Sequence, residues 1–205
     1  KRLNAKWILI GDDFCYGAKR AGNFASLKAA GEKYGFEVSS IHTVLEDGER
    51  ISSSALRNAL ANGNMDQASK LLGRPYGISG HVIHGQKLGR TLGFPTLNLA
   101  VANHLHHRKP ACSGIFTAQV LGLSDKPLPA VASLGVRPTV EDEGRVLLET
   151  HIFDYNADVY GKIITVELLE KIRDEAKYSD LDTLTQAIAS DAAHARNYFQ
   201  KKSYV

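Results

Sequence analysis

Two different rhythms of apolar residues divide this chain near residue 73. In the first part, Trp7 to Ile10 is an unbroken apolar run that predicts a buried strand. Asn23 then stands ahead of Phe24, Leu27 and Tyr34, which share one face of a helix over 24–34. Glu37 to Leu45 alternates as a further strand does, and Asp47-Gly48 marks the turn after it. Asn64-Met-Asp-Gln67 reads as the capped start of a short helix that Gly73 and Arg74-Pro75 bring to an end. Strands alternating with helices predict an α/β arrangement for residues 1–72.

Beyond residue 73 the helical period gives way to short apolar and β-branched runs: 78–83, 97–101, 114–121, 130–136, 146–153 and 163–169. Six such runs with turns between them predict a small closed antiparallel barrel, which leaves no strand edge exposed. After Ser179 and Asp180, the residues Leu181, Leu184, Ile188, Ala192, Ala195 and Phe199 recur at three and four positions. They draw one apolar stripe on a final helix that lies across the barrel. His194, Arg196 and Lys201-Lys202 lie off that stripe.

Composition narrows the class. With 205 residues, 43% of them hydrophobic, the chain can bury an ordinary core, as one large domain or two small ones. The apolar runs are far too short for a bilayer span, and no basic-then-apolar leader is present, so the expected location is cytoplasmic. Two distant cysteines, Cys15 and Cys112, form no metal or disulfide spacing, and each is expected to be small apolar filler. A formal charge of +3 with scattered Lys and Arg does not by itself imply nucleic acid, and it suits a small anionic substrate as well.

The stretch GHVIHGQKLGRTLGFPTLN, from Gly80 to Asn98, carries the most chemistry. Gly80, Gly85, Gly89 and Gly93 bare the backbone every four or five residues, and Lys87 and Arg90 bring positive charge among them. Such a loop suits phosphate groups. Pro95 then rigidifies the exit, so Thr96 and Asn98 face one side of an extended segment as hard oxygen ligands of the kind Mg²⁺ accepts. The plain alternative is a glycine-rich hairpin leading into a polar edge strand. Neither the Walker spacing nor the dinucleotide fingerprint is present.

Other candidates are weaker on residue type alone. Gly11-Asp12-Asp13 follows the first strand at its carboxyl end, where open α/β sheets bind ligands, though it also suits a turn. Ile51-Ser-Ser-Ser54 with Arg57 can cap a helix or bind an anion at its start. In VLLETHIF the alternation puts Leu147, Glu149 and His151 on one face of a strand, so Glu149 projects either toward a site or toward solvent. Arg173, Asp174 and Glu175 are expected in a charged loop after the last strand. His104, His106 and His107 beside Arg108 and Lys109 are read as a solvated basic loop rather than a metal cluster, since no other ligand type is close.

At this point the motifs add up to a resemblance. The Gly80–Asn98 stretch with its Pro-Thr-x-Asn, Pro138-Thr139, Leu148-Glu149-Thr150-His151 with Asp154, and Arg173-Asp174-Glu175 resemble riboflavin kinase motifs in order. Upstream, Gly11-Asp12-Asp13-Phe14 with Gly17, and Ile51 to Ser54 with Arg57, resemble the later part of the adenylyltransferase domain fused to that kinase in bacteria. The whole chain is therefore similar to the bifunctional riboflavin kinase/FMN adenylyltransferases, or bacterial FAD synthetases. The resemblance implies a nucleotidyltransferase-type, Rossmann-like α/β portion over 1–72 and a kinase barrel with its helix over 73–205.

It also implies roles. Gly80, Gly85, Lys87, Gly89, Arg90, Thr96 and Asn98 would hold ATP, with Thr96 and Asn98 on Mg²⁺. Glu149 would be the base that activates a riboflavin hydroxyl. Arg173 and Asp174 would meet the flavin, Arg173 at the ribityl chain or phosphate, in a loop that closes over it. Asp13, Ser52, Ser53 and Arg57 would be what remains of the adenylyl site. The implied substrates are riboflavin and ATP, the product is FMN, and neither nucleic acid nor membrane is a partner; oligomeric state is not legible.

Because Trp7 to Ile10 lacks upstream neighbours and no His-x-Gly-His turn occurs, the chain is expected to be a fragment of the longer enzyme that makes FMN but not FAD. Two other readings compete. One is a non-catalytic barrel that binds single-stranded nucleic acid, although its aromatics are not interleaved with Lys and Arg. The other is a flavin sensor that binds without turning over ATP.

Overall fold

A computed structural model describes residues 4–11, 13–41, 45–46, 48–85, 88–100, 110–136 and 146–202. The chain falls into two compact units, Lys1–Ser52 and Ser53–Val205. In the first, strand β1 (Trp7–Gly11) pairs in parallel with β2 (Glu37–Ile41) through helix α1 (Phe24–Tyr34). The start of α1 is closed reciprocally: Asn23 accepts from the Ser26 N–H, and the Asn23 N–H donates to the Ser26 hydroxyl. Two-residue strands β3 (Leu45–Glu46) and β4 (Glu49–Arg50) form a hairpin.

The buried-strand expectation for Trp7–Ile10 holds for one residue only. Ile10 is buried, while Trp7 and Leu9 are 54% and 43% exposed. An unbroken apolar run signals coverage of both faces, and this two-stranded sheet does not cover both. Cys15 is exposed too, not apolar filler.

The second unit opens with helices α2 (Ser53–Ala61) and α3 (Met65–Leu72), which pack on each other through Ala59, Leu60, Met65, Ala68 and Leu71. Asn64 caps α3 by accepting from the Gln67 N–H, and Gly73 ends it in the left-handed conformation at φ 69°. The division between the units thus falls ahead of α2, whereas the helical rhythm runs on to residue 72.

Six strands then close a barrel: β5 (Tyr76–Ile83), β6 (Leu97–Ala100), β7 (Gly114–Leu121), β8 (Leu128–Val136), β9 (Val146–Ile152) and β10 (Ile163–Arg173). Around the barrel they run β10-β5-β6-β9-β8-β7, and every pair is antiparallel. Alternation packs Leu99, Phe116, Val120, Leu134, Leu148, Ile164, Val166 and Leu168 into a core from which water is excluded. One-turn helix α4 (Leu88–Thr91) joins β5 to β6, and α5 (Leu181–Lys202) lies outside, setting Ala192 and Ala195 against Val131 and Phe153. Leu181, at the head of the expected stripe, is 56% exposed.

The last strand differs from its sequence reading. β10 continues four residues past Leu169, because Lys171 and Arg173 still pair with Phe116 and Ile115 of β7 across two register shifts. Arg173 is therefore the end of a strand rather than part of a loop. Among the described residues no helix is long and apolar enough to cross a membrane, and no group of side chains could hold a metal ion as a His/Cys/Asp/Glu cluster. The basic segment 104–109 and Pro138-Thr139 lie outside the described residues.

Candidate active site

One row of residues crosses the barrel wall in register. Ile83 of β5 opposes Asn98 of β6, which opposes Glu149 of β9, then Ser133 of β8, Ile115 of β7 and Arg173 of β10. The residues before and after Glu149, Leu148 and Thr150, are fully buried in the barrel, so the row stands on its outer surface. Between helix α5 and this wall is a cavity of about 280 Å³, lined by Thr96, Asn98, Ser133, Glu149, His151 and Arg173 among others.

The glycine-rich stretch packs against residues lining this cavity at two points. Gly85 lies so close to the Asn98 amide that any side chain there would collide with it, and Gly89 is packed in the same way against the Phe94 carbonyl and Thr96. The Phe94 N–H donates to the Gly89 carbonyl at 2.8 Å, which folds the α4 segment back on the start of β6. Asn98 is 5% exposed, and its Oδ1 is buried without a hydrogen-bond partner. Such an atom is costly unless something else satisfies it. Gly80, by contrast, sits in the β5–β10 ladder opposite Ile164, and Arg90 is exposed on α4 outside the cavity lining. Lys87 lies outside the described residues.

His151 donates from Nδ1 to the Pro95 carbonyl at 2.8 Å, and since a carbonyl can only accept, Nδ1 carries the proton. Phe94 and Phe153 meet the same ring edge-on, at 5.6 and 5.7 Å between centroids. Such packing fixes the side chain two positions along the strand from Glu149.

The far wall is built by an ion pair. Arg173 donates from Nε and Nη2 to the two Asp191 oxygens at 2.9 and 2.6 Å, and from Nη1 to the Asp174 carbonyl. Asp191 is buried on α5, and its acceptance of these bonds raises the Arg173 guanidinium pKa further above its ordinary value. Tyr178 lies over the guanidinium at 5.8 Å. Glu175 packs against Gly135, and burial pushes its carboxyl above the usual range. Asp174 instead turns outward to Lys171 at 2.6 Å, whose hydrogen bond holds its carboxyl low, and it does not line the cavity.

The structure thus gathers Gly89, Thr96, Asn98, Glu149 and Arg173 about one cavity, with Gly85 packed against the Asn98 amide. Asp13 is elsewhere, paired with Arg50 at 3.0 Å in the first unit, where Ser52 also lies. Ser53 and Arg57 are exposed on α2 in the second unit. Sequence reading passed over Ser133, Tyr178 and above all Asp191. The signal for Asp191 was there: it falls three residues after Ile188, where an acid interrupts the apolar stripe.

Comparison with known proteins bears on the family of the chain. The riboflavin kinase family model matches residues 72–199, and the FAD synthetase model matches residues 1–55. The bifunctional riboflavin kinase/FMN adenylyltransferase of Escherichia coli K12 is 47% identical over 97% of this chain, and that of Haemophilus influenzae is 43% identical over 96%. The chain spans 62% of the length of each. A crystal structure of a macrolide-efflux protein from Streptococcus pneumoniae, 33% identical, superposes with a TM-score of 0.72 on 95% of this chain and 61% of that one. Since the riboflavin kinase model covers well over half of its residues, the chain belongs to the riboflavin kinase family.

Proposed function

We propose that this chain transfers the terminal phosphoryl group of ATP to the end hydroxyl of the riboflavin side chain, giving FMN. The observation that carries the reading is the register of Asn98 and Glu149, neighbours on β6 and β9 above a single cavity. Phosphoryl transfer needs an acceptor hydroxyl held beside a proton acceptor and beside the groups that neutralise phosphate charge. Glu149 supplies the first: its carboxylate takes the hydroxyl proton as the oxygen attacks phosphorus. Gly85 and Gly89, lacking side chains, let the loop backbone pack directly against Asn98 and Thr96, the groups that would hold the nucleotide.

Mg²⁺ fits this site. The buried and unpartnered Oδ1 of Asn98, with the Thr96 hydroxyl on the same side, is a hard oxygen set suited to the ion. Bound there with ATP, the cation would neutralise charge on the transferring phosphate. Arg173, Glu175, Ala176 and Tyr178 also line the cavity, on the side that would take the flavin. Within a longer protein of the kind its relatives represent, residues 1–72 would belong to a domain that adenylylates FMN to FAD, with Asp13, Ser52, Ser53 and Arg57 among its nucleotide contacts.

Incubation with riboflavin, ATP and Mg²⁺ followed by chromatographic separation of the flavins tests the reading, and FMN is the expected product. Riboflavin binding without ATP turnover would make the chain a sensor instead. Nothing in the family or relatives supports the nucleic-acid reading. Tight, salt-sensitive oligonucleotide binding in the absence of riboflavin binding would nonetheless restore it.

A further inference from the structure

We infer that His151 is a positioning residue for the nucleotide side of the site: its imidazole ties the Pro95-Thr96 backbone to the strand that carries Glu149, and so sets the Thr96 hydroxyl where Mg²⁺ would bind. This rests on the kinase reading above. Strand β6 begins at Leu97, whose ladder partner is Thr150, so residues 94–96 lie ahead of the ladder and take no support from it. Pro95 has no N–H to offer a neighbour, which leaves its carbonyl as the one polar backbone group by which that residue can be held. His151 takes that carbonyl at 2.8 Å. One residue earlier, the Phe94 N–H is tied to the Gly89 carbonyl at 2.8 Å. Fixed at both residues, the backbone has its direction set as it enters Thr96.

The ring that makes this contact has little freedom. Phe94 and Phe153 meet it edge-on. Phe153 is held in turn by Arg196 of α5, whose guanidinium carbon stands 4.4 Å from the ring centre while its N–H groups grip both Asp154 oxygens at 2.8 and 3.0 Å. Glu149 stands two residues before His151 on the same face of β9, and both line the cavity. The base and the segment that would hold the metal are thereby referenced to one strand.

One spectrum and three variants test this. In the ligand-free protein, NMR correlation of imidazole nitrogens with ring protons should show His151 as the Nδ1–H tautomer, and an Nε2–H tautomer would overturn the inference. His151→Phe keeps a ring between Phe94 and Phe153 but removes the donor. It should raise both the Mg²⁺ concentration for half-maximal activity and the calorimetric Kd for Mg·ATP about tenfold, with riboflavin affinity changed less than about twofold. His151→Asn, whose amide nitrogen falls where Nδ1 was, should recover most of that loss, whereas His151→Gln, whose nitrogen falls nearer Nε2, should not. Should the phenylalanine variant not fold, the contrast between Asn and Gln decides alone. Equal behaviour of those two would overturn the inference, as would a loss confined to riboflavin, which would make His151 a substrate contact. A raised Mg²⁺ requirement in Asn98→Ala with none in His151→Phe would sink it while leaving the kinase reading intact. A wild type that neither forms FMN nor binds Mg·ATP would remove both.

Discussion

Asn98 and Glu149 are direct cross-strand partners, 51 positions apart in sequence and side by side on the outer wall of the barrel. Their pairing sets a buried amide oxygen that lacks a partner beside a carboxylate on the same face. Opposed residues on neighbouring strands have Cβ atoms only about 4.5–5.5 Å apart, so one hydroxyl and one phosphate can be served together.

Removing the proton acceptor should therefore slow chemistry while leaving binding largely intact. Glu149→Gln keeps the shape of the side chain, and it should lower kcat for FMN formation by a factor on the order of a hundred to ten thousand, with KM for riboflavin changed little. Steady-state flavin chromatography measures both. Turnover at the wild-type rate would show that the hydroxyl proton goes elsewhere.

Gly85 should behave as an extension of Asn98. A Cβ at Gly85 would collide with the Asn98 amide, so Gly85→Ala must displace the group proposed to hold Mg²⁺. The expected result is a raised Mg²⁺ requirement and weaker nucleotide binding, matching Asn98→Ala in direction, with flavin binding close to wild type. Titration of activity against Mg²⁺, together with ATP binding by calorimetry, checks this.

Stability at low pH should depend on the start of α5. Asp180 accepts from the Thr183 backbone N–H at 2.7 Å and from the Ser179 and Thr183 hydroxyls, which pull its carboxyl down to about 2. An unfolded aspartate titrates near ~3.9. The folded value is the lower one, so this stabilisation is complete above about pH 4 and is lost as pH falls through about 2. Asp180→Ala should melt earlier than wild type at pH 7, and the gap between the two should shrink between pH 4 and pH 2. A constant gap over that interval would mean the charge contributes nothing.

The two thiols should differ sharply. Cys15 is exposed, whereas Cys112 is buried and burial pushes its thiol up to about 11. Since the thiolate is the reactive form, a disulfide reagent at pH 8 should modify one thiol per native chain and two in urea. Rapid labelling of both in the native protein would show that the Cys112 environment opens.

Much of the fold was legible because it depends on local rules. Short apolar and β-branched runs located the six barrel strands to within a few residues, and Asn23 and Asn64 marked two helix starts through caps that need only their own neighbours. The lack of upstream neighbours for Trp7–Ile10 was legible too, but not that Trp7 and Leu9 would stay exposed while Ile10 is buried, since an apolar run reports only what its residues would gain by burial.

The site divides along the same line. Sequence by itself determined which chemistry was on hand: the glycines at 85 and 89, the oxygen ligands Thr96 and Asn98, and a carboxylate at 149 sharing one strand face with Leu147 and His151. Tertiary structure decided which of these meet and what they meet. Barrel closure put Glu149 next to Asn98 and Ser133, and left Gly80 in a ladder. Two register shifts in β10 carried Arg173 to the row, and helix α5 brought Asp191 to claim its hydrogen-bonding edge. A bulge shifts which residue faces which by one position, and an ion pair across 18 residues depends on where a helix docks; both follow from long-range packing, which no local pattern encodes.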